Sequence, residues 1–204
     1  MPQSGGRLIA FEGIDGTGKS TQITLLAGVL RQQGYEVVVT CEPTNGGYGQ
    51  KIRALYKSRD SVSPAAELEL FLADRREHIG KLIAPSLTAG KIILTDRYYL
   101  STIAYQGAAG LDPAIIMQKN AFAPPPDLAV IIDLSPEQAV KRIQQGRGEA
   151  LNSFEHEDYL AKVAEVFRSM KMPYIRWVDG TLAVHDVQRQ IMAEVQNILP
   201  GIPA

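Results

Sequence analysis

The sequence predicts an α/β fold, a five-stranded parallel sheet flanked by helices. Three observations carry this expectation. Short runs rich in Ile, Val and Leu recur along the chain, and longer stretches between them place apolar residues at helical spacing. A glycine-rich phosphate-loop pattern joins the first run to the first such stretch. Short apolar runs bounded by turn residues are the form strands take when a parallel sheet buries both their faces. Their alternation with helices is the mark of the class.

The elements follow in order. Leu8–Phe11 is the first run, and Lys19 to Gln33 is the first helix, with Ile23, Leu26 and Leu30 on one face and Gly34 placed to end it. Val37–Thr40 is the second run. Cys41–Gly49 reads as a loop directly after it, with Pro43 and three glycines. Pro64 to Thr88 reads as one long helix, with Ser63 as its cap and Pro64 in its first turn. Ile92–Thr95, Leu128–Leu134 and Ile175–Val178 complete the five strands. Glu155–Met170 and Val184–Leu199 repeat the helical pattern. Gln145–Asn152, polar and carrying Gly146 and Gly148, reads as a loop between two helical patterns. The chain thus reads as a single domain over residues 1–204, with a short lid at about 145–153.

Composition narrows the function classes. Hydrophobic residues make up 45% of the chain and charged residues 21%, enough apolar content for a core and too much for wholesale disorder. Against 22 Asp and Glu stand 21 Lys and Arg, so no basic excess advertises a nucleic-acid partner. No window approaches the length of an apolar membrane span. Cys41 is the single cysteine, which excludes an internal disulfide and suits a reducing compartment. Met1 to Arg7 lacks a signal-peptide pattern. The expectation is a cytoplasmic protein.

Gly13-Ile14-Asp15-Gly16-Thr17-Gly18-Lys19-Ser20 fits the phosphate-loop pattern of Gly, four residues, Gly-Lys-Ser/Thr. It follows a strand and opens a helix, as its mechanism requires. Gly16 and Gly18 allow backbone conformations that turn successive N–H groups inward as an anion nest, and the helix N-terminus adds its dipole. Lys19 brings a charge to the β- and γ-phosphates, as an exposed loop lysine that packs against little. The Ser20 hydroxyl is placed to ligate Mg²⁺. The chain is expected to bind a nucleoside triphosphate.

Two uses of that triphosphate are open. One is a nucleotide switch, whose loops order around the γ-phosphate. The chain lacks the Asn/Thr-Lys-x-Asp motif with which guanine-specific switches read their base, and outside the phosphate loop's own Asp15-Gly16-Thr17-Gly18 it lacks an Asp-x-x-Gly after a strand. The other is an enzyme that moves the γ-phosphoryl group to a phosphorylated acceptor. That needs a second anion site and further cations, and arginine forks suit both. Asp96-Arg97-Tyr98 follows the third strand. Asp96 there can hold Mg²⁺ through water, and Arg97 can reach between donor and acceptor phosphates. Arg53 lies on a helix after the Pro43 loop, and Arg75 and Arg76 lie on the long helix.

Phe11-Glu12-Gly13 through Thr21-Gln22 resembles the opening of thymidylate (dTMP) kinases. So do Asp96-Arg97-Tyr98 with Ser101-Thr102 and Ala104-Tyr105-Gln106-Gly107, Phe71 to His78, and Pro126-Asp127-Leu128. The resemblance spans essentially the whole chain, and the segment from Asp96 to Gln106 discriminates best among monophosphate kinases. It implies a P-loop, nucleoside monophosphate kinase-like fold, ATP as phosphate donor with Mg²⁺, dTMP as acceptor, and a homodimer. Another (deoxy)nucleoside monophosphate kinase is the alternative. Carried over by position, the resemblance implies that Gly13, Ile14, Asp15, Gly16, Thr17, Gly18, Lys19, Ser20 and Thr21 hold ATP. Ser20 and Asp96 would serve the metal. Asp15 would also accept a hydrogen bond from the 3′-hydroxyl of dTMP, Phe71 would stack on thymine, and Arg75 would meet the base edge. Ser101, Thr102 and Gln106 would belong to the same pocket, Tyr105 would stand where a 2′-hydroxyl would lie, and Arg53 and Arg97 would hold the dTMP phosphate.

Two departures bear on the chemistry. The usual Arg-Glu-Pro-Gly-Gly after the second strand is here Cys41-Glu42-Pro43-Thr44-Asn45-Gly46-Gly47, and the usual Asp-Arg-Phe-Glu of the lid is Asn152-Ser153-Phe154-Glu155. Position 16 is Gly, so the phosphate loop carries no arginine either. Arg147 is then the expected lid cation in the transition state, with Lys19, Arg97 and Asp96 as the other catalytic groups. Arg142 is the candidate to stack on adenine. His78, His156 and His185 read as surface or packing residues.

Overall fold

The computed structural model describes residues 5–56, 62–147 and 156–199; the predicted lid over 148–153 lies outside them, as does the side chain of Arg147. Each predicted run forms a strand: β1 is Arg7–Glu12, β2 Val37–Cys41, β3 Ile92–Asp96, β4 Leu128–Asp133 and β5 Ile175–Asp179. They build one parallel sheet in the order β2-β3-β1-β4-β5. The helices are α1 Lys19–Gln32, α2 Gly47–Leu55, α3 Pro64–His78, α4 Ala84–Thr88, α5 Tyr99–Ala108, α6 Pro113–Lys119, α7 Pro136–Arg147, α8 Glu157–Ser169 and α9 Val184–Ile198.

The central strand explains the apolar runs. Leu8, Ile9, Ala10 and Phe11 are all fully buried, because helices cover both faces of the sheet. Ile9 and Phe11 point to one layer, with Ile23, Leu26 and Leu30 of α1 and Val187, Ile191 and Val195 of α9. Leu8 and Ala10 point to the other, with Leu68 and Leu72 of α3, Leu100 and Ile103 of α5, and Leu160, Val163 and Phe167 of α8. Edge strand β2 is buried far less, and its Val39 is exposed.

Three boundaries differ from the sequence reading. The long helix over Pro64–Thr88 is interrupted by a π turn at Ile79–Ile83 before α4. Pro85 lacks the N–H that would reach back four residues into the helix, and the local widening absorbs that missing bond. The loop after β2 is shorter than Cys41–Gly49, since Cys41 ends the strand and Gly47 to Gly49 already belong to α2. Gln145, Gly146 and Arg147 are the last residues of α7 and not loop. One glycine in a final turn costs only about 1 kcal/mol relative to alanine, too little to stop a helix.

β1 lies between β3 and β4, with β2 reached to one side and β5 to the other. The carboxyl ends of β1 and β3 therefore meet at a topological switch point, where ligands bind in open α/β sheets. The register places Phe11 level with Asp96, and Cys41 level with Asp96 from the other side.

Candidate active site

The phosphate loop runs from the end of β1 to the start of α1. Gly16 has φ +82°, and a Cβ there would meet the carbonyl oxygen of Ala139 on α7. The close approach of α7 to the loop thus demands glycine. Gly18, the residue before α1, has φ +94°. The first turn of α1 has neither an acidic residue nor a side-chain cap, so its N–H groups and dipole are left for an external anion.

Lys19 is not the exposed lysine expected from sequence. It is buried, and its ammonium donates to the carbonyl oxygens of Gly13 (3.2 Å) and Ile14 (2.9 Å). Burial, with Arg97 nearby, pushes its pKa from 10.5 down to about 8, against the opposing pull of Asp96, Asp15 and Glu12. Thr17 is also buried, with its hydroxyl donating to the Ile14 carbonyl at 3.1 Å. Thr21 is exposed on α1. The Ser20 hydroxyl donates to Asp96 Oδ2 at 2.6 Å. These two hard oxygens converge from α1 and β3 and fit a Mg²⁺ ion that takes its other ligands from phosphate and water.

Arg97 joins the two sides of the site. It has φ +70°, in the left-handed region that residues other than glycine seldom adopt. Three bonds hold it there. Its N–H donates to Phe11 O (2.9 Å), its carbonyl accepts from Thr95 Oγ1 (2.8 Å), and the next N–H, of Tyr98, donates to Glu12 Oε1 (3.0 Å). Its guanidinium donates to Gly13 O (3.1 Å), Ser101 Oγ (2.9 Å), Asp15 Oδ1 (2.8 Å) and Tyr105 Oη (3.1 Å). Tyr105 in turn donates to Asp15 Oδ2 at 2.8 Å. Burial alone would raise the pKa of Asp15, but Arg97 and Lys19 outweigh it and hold the group down at about 2. Asp15, Arg97 and Tyr105 form one connected unit.

Glu12 is a carboxylate that the sequence reading quoted and gave no role. It is fully buried at the end of β1, and Ser101 Oγ donates to its second oxygen. Burial raises its pKa to about 7 despite Ser101, Arg97 and Lys19. Its signal was an acidic residue closing an otherwise apolar strand. Ser101 stands between Glu12 and Arg97 and acts on the site through them.

The predicted base residues gather between α3 and α5. Arg75 is almost fully buried. It donates to Glu42 Oε2 through Nε (2.9 Å) and Nη2 (2.6 Å), to Thr102 Oγ1 (2.9 Å) and to Asn120 Oδ1 (2.6 Å). His78 Nδ1 lies 2.9 Å from Glu42 Oε1, and its Nε2 lies 2.8 Å from Thr40 Oγ1, which makes it a buried packing residue. Gln106 is fully buried, with its amide nitrogen donating to Glu67 Oε2 at 3.3 Å and its oxygen unpartnered. Phe71 is half-buried on α3. Glu42, Glu67 and Asn120 were not singled out from sequence, since each works through a partner at least 33 residues away.

Arg53 on α2 donates to the carbonyl oxygens of Pro43 (2.8 Å) and Thr44 and to Asn45 Oδ1 (3.0 Å). A cleft of about 810 Å³ contains Lys19, Ser20, Asp96, Arg97, Arg53 and Arg142 on its walls. Arg142 is anchored by donating to Gly180 O at 2.9 Å, on the α7 side beside Gly16. Cys41 is half-buried and reaches the same cleft.

The chain is similar to known proteins over nearly its whole length. A family model described as thymidylate kinase matches residues 11–191. A thymidylate kinase of Desulfotalea psychrophila is 53% identical over 199 residues, 98% of each chain. One of Xanthomonas campestris pv. campestris is 44% identical over 191 residues, covering 94% of this chain and 83% of its own. One of Xanthomonas oryzae pv. oryzae is 43% identical over 201 residues, covering 97% of this chain and 88% of its own.

Proposed function

The chain belongs to the thymidylate kinase family and is an ATP:dTMP phosphotransferase, and we propose that its residues divide that work as follows. ATP lies with its β- and γ-phosphates in the nest from Gly13 to Thr21, against Lys19, and with its adenine toward Arg142. The dTMP phosphate meets Arg53 and Arg97, its sugar faces Asp15 and Tyr105, and its base lies among Phe71, Arg75, Thr102 and Gln106. The observation that carries this reading is the Asp15–Arg97–Tyr105 unit. It ties the donor's phosphate loop to the acceptor's helix α5 through bonds of 2.8 to 3.1 Å.

The acceptor phosphate is already anionic, so no general base is needed. What the site supplies is position and charge. Arg97 touches the carbonyl of Gly13 and the carboxylate of Asp15 at once, and so stands where the two substrates' phosphates approach. Ser20 and Asp96 would hold Mg²⁺, which supplies charge neutralisation at the β- and γ-oxygens when bound. Arg147, the last residue of α7, is the proposed lid cation. Closure of the segment after α7 over the cleft would exclude water from the transferring group.

A homodimer goes with the same family membership, and the solution mass of the chain tests it. Among the described residues no helix is long and apolar enough to cross a membrane. A cytoplasmic site of action, with no nucleic-acid partner, is part of the same proposal. The substrate assignment is tested by coupled ADP release over dTMP, dUMP, dCMP, dGMP and UMP. The expected result is highest kcat/KM for dTMP. Equal turnover of the five would refute the base-pocket assignment.

A further inference from the structure

Among the described residues, Arg53 is held by a neighbouring loop. Its hydrogen bonds go to the carbonyl oxygens of Pro43 and Thr44 and to the side chain of Asn45. The direction of its guanidinium is therefore set by wherever those carbonyls stand. Thr44 is itself gripped from α3. Its N–H donates to Asp74 Oδ2 at 2.7 Å, and its hydroxyl donates to Asp74 Oδ1 at 2.6 Å. The same hydroxyl oxygen accepts from the N–H of Gly46 at 3.0 Å, which closes the turn. At the front of the loop, Glu42 is fixed to the same helix by Arg75 and His78.

Asp74 is 2% exposed, and among the described residues both its hydrogen bonds go to Thr44. A buried carboxylate is costly unless its oxygens are bonded. With both bonds on one residue, any shift of Thr44 would leave a buried charge unsatisfied, so the position of Thr44 is stiff. From the other side, α2 passes so close that a Cβ on Gly49 would collide with the Thr44 carbonyl. The loop is clamped between α3 and α2 with its carbonyl edge turned to Arg53.

We propose that Asp74 is a positioning residue that aims Arg53, through Thr44, at the phosphate of the acceptor. This rests on the placement of that phosphate at Arg53. Asp74 touches no substrate and acts at the phosphate end of dTMP, separately from the base pocket that its neighbour Arg75 serves.

The test is a mutant cycle on Asp74 and Arg53, read in dTMP KM, ATP KM and inhibition by thymidine, which has base and sugar but no phosphate. Asp74→Asn keeps the shape but removes the charge and leaves one acceptor for Thr44, so that the bond to the Thr44 hydroxyl must reverse, with the Asn NH₂ donating to an oxygen that already accepts from Gly46. Its dTMP KM should rise about tenfold, the scale of a small misplacement of a positioning group, while ATP KM and the thymidine inhibition constant stay within about twofold. In an Arg53→Ala background, Asp74→Asn should add nothing. Thr44→Val removes the hydroxyl donor and keeps the backbone bond, so it should show the same pattern at smaller size, and it decides the matter if Asp74→Asn does not fold. Additive effects of Asp74→Asn and Arg53→Ala, or thymidine inhibition weakening in step with dTMP KM, would overturn the inference. An Arg53→Ala protein with unchanged dTMP KM would overturn the phosphate placement itself, and the inference with it.

Discussion

Glu12 is expected to add a contribution to stability that falls as the pH rises toward neutrality. The carboxyl group is fully buried, and burial lifts its pKa from 4.5 to about 7. Between those values the unfolded chain has released the proton and the folded chain still holds it. Stability rises with pH only where the unfolded state binds more protons, so here it falls. The penalty is absent below pH 4.5, grows through the window, and is fully present above pH 7. At 1.36 kcal/mol for each pH unit it amounts to about 3 kcal/mol. Glu12→Gln isolates it. The amide copies the protonated acid: its oxygen can accept from Tyr98 N, and its nitrogen can donate to Ser101 Oγ once that hydroxyl, which donates to the carboxylate in the wild type, turns away. Wild type and variant should have equal urea midpoints near pH 4.5. Above pH 7 the variant should be the more stable, by up to about 3 kcal/mol. Every other ionisable group is common to both proteins, so the difference isolates Glu12. A difference that stays constant from pH 4.5 to 8 would refute the reasoning. It would mean that the carboxylate is satisfied as an anion by Ser101, Arg97 and Lys19.

Three further outcomes are expected. Lys19→Met should abolish phosphoryl transfer while far-ultraviolet circular dichroism stays unchanged, because the methylene stem still fills the buried space; measurable turnover would remove Lys19 from the donor site. Tyr105→Ala should narrow the preference for dTMP over its ribose counterpart, measured as a ratio of kcat/KM values, since the Tyr105 hydroxyl that Asp15 and Arg97 hold in place would be gone; an unchanged ratio would end that assignment. Arg147→Ala should lower kcat by at least about tenfold, or roughly 1.4 kcal/mol of barrier, with dTMP binding unaffected; an effect on ATP KM alone would make Arg147 a ground-state contact and turn attention to Arg142.

Features carried by apolar runs and by the composition of a single motif were legible in the sequence, and features that depend on how the backbone folds in three dimensions were not. The five strands could be read because β1, β3 and β4 are buried on both faces and so are nearly all apolar. The phosphate loop could be read because nine adjacent residues carry its whole geometry, from Gly13 to Thr21. The depth of Lys19 could not, since it depends on how the loop carbonyls fold back over the ammonium. The π turn before Pro85 was hidden because an apolar period cannot separate one helix from two with a widened turn between them.

Helix α3 shows the deeper reason. Its buried face holds Glu67, Leu68, Leu72, Asp74, Arg75 and His78, so charged and apolar groups alternate where a packing helix would place only apolar ones. Read for apolar periodicity alone, that face looks ordinary, and Glu67 and Asp74 pass as solvated. Each of these polar groups is instead bonded to another element: Glu67 to α5, Asp74 and Arg75 to the loop after β2, and His78 to β2 and that loop. Burying them is unfavourable unless every partner is in place. The helix therefore fixes the geometry of the site as it packs, with Glu42, Thr44, Thr102 and Gln106 brought into register by the same act. A run of ionisable residues at i, i+7, i+8 and i+11 on one helix is the sequence signal for such a face. It separates from a solvated stripe once the leucines beside it, here Leu68 and Leu72, show that the same face is turned inward.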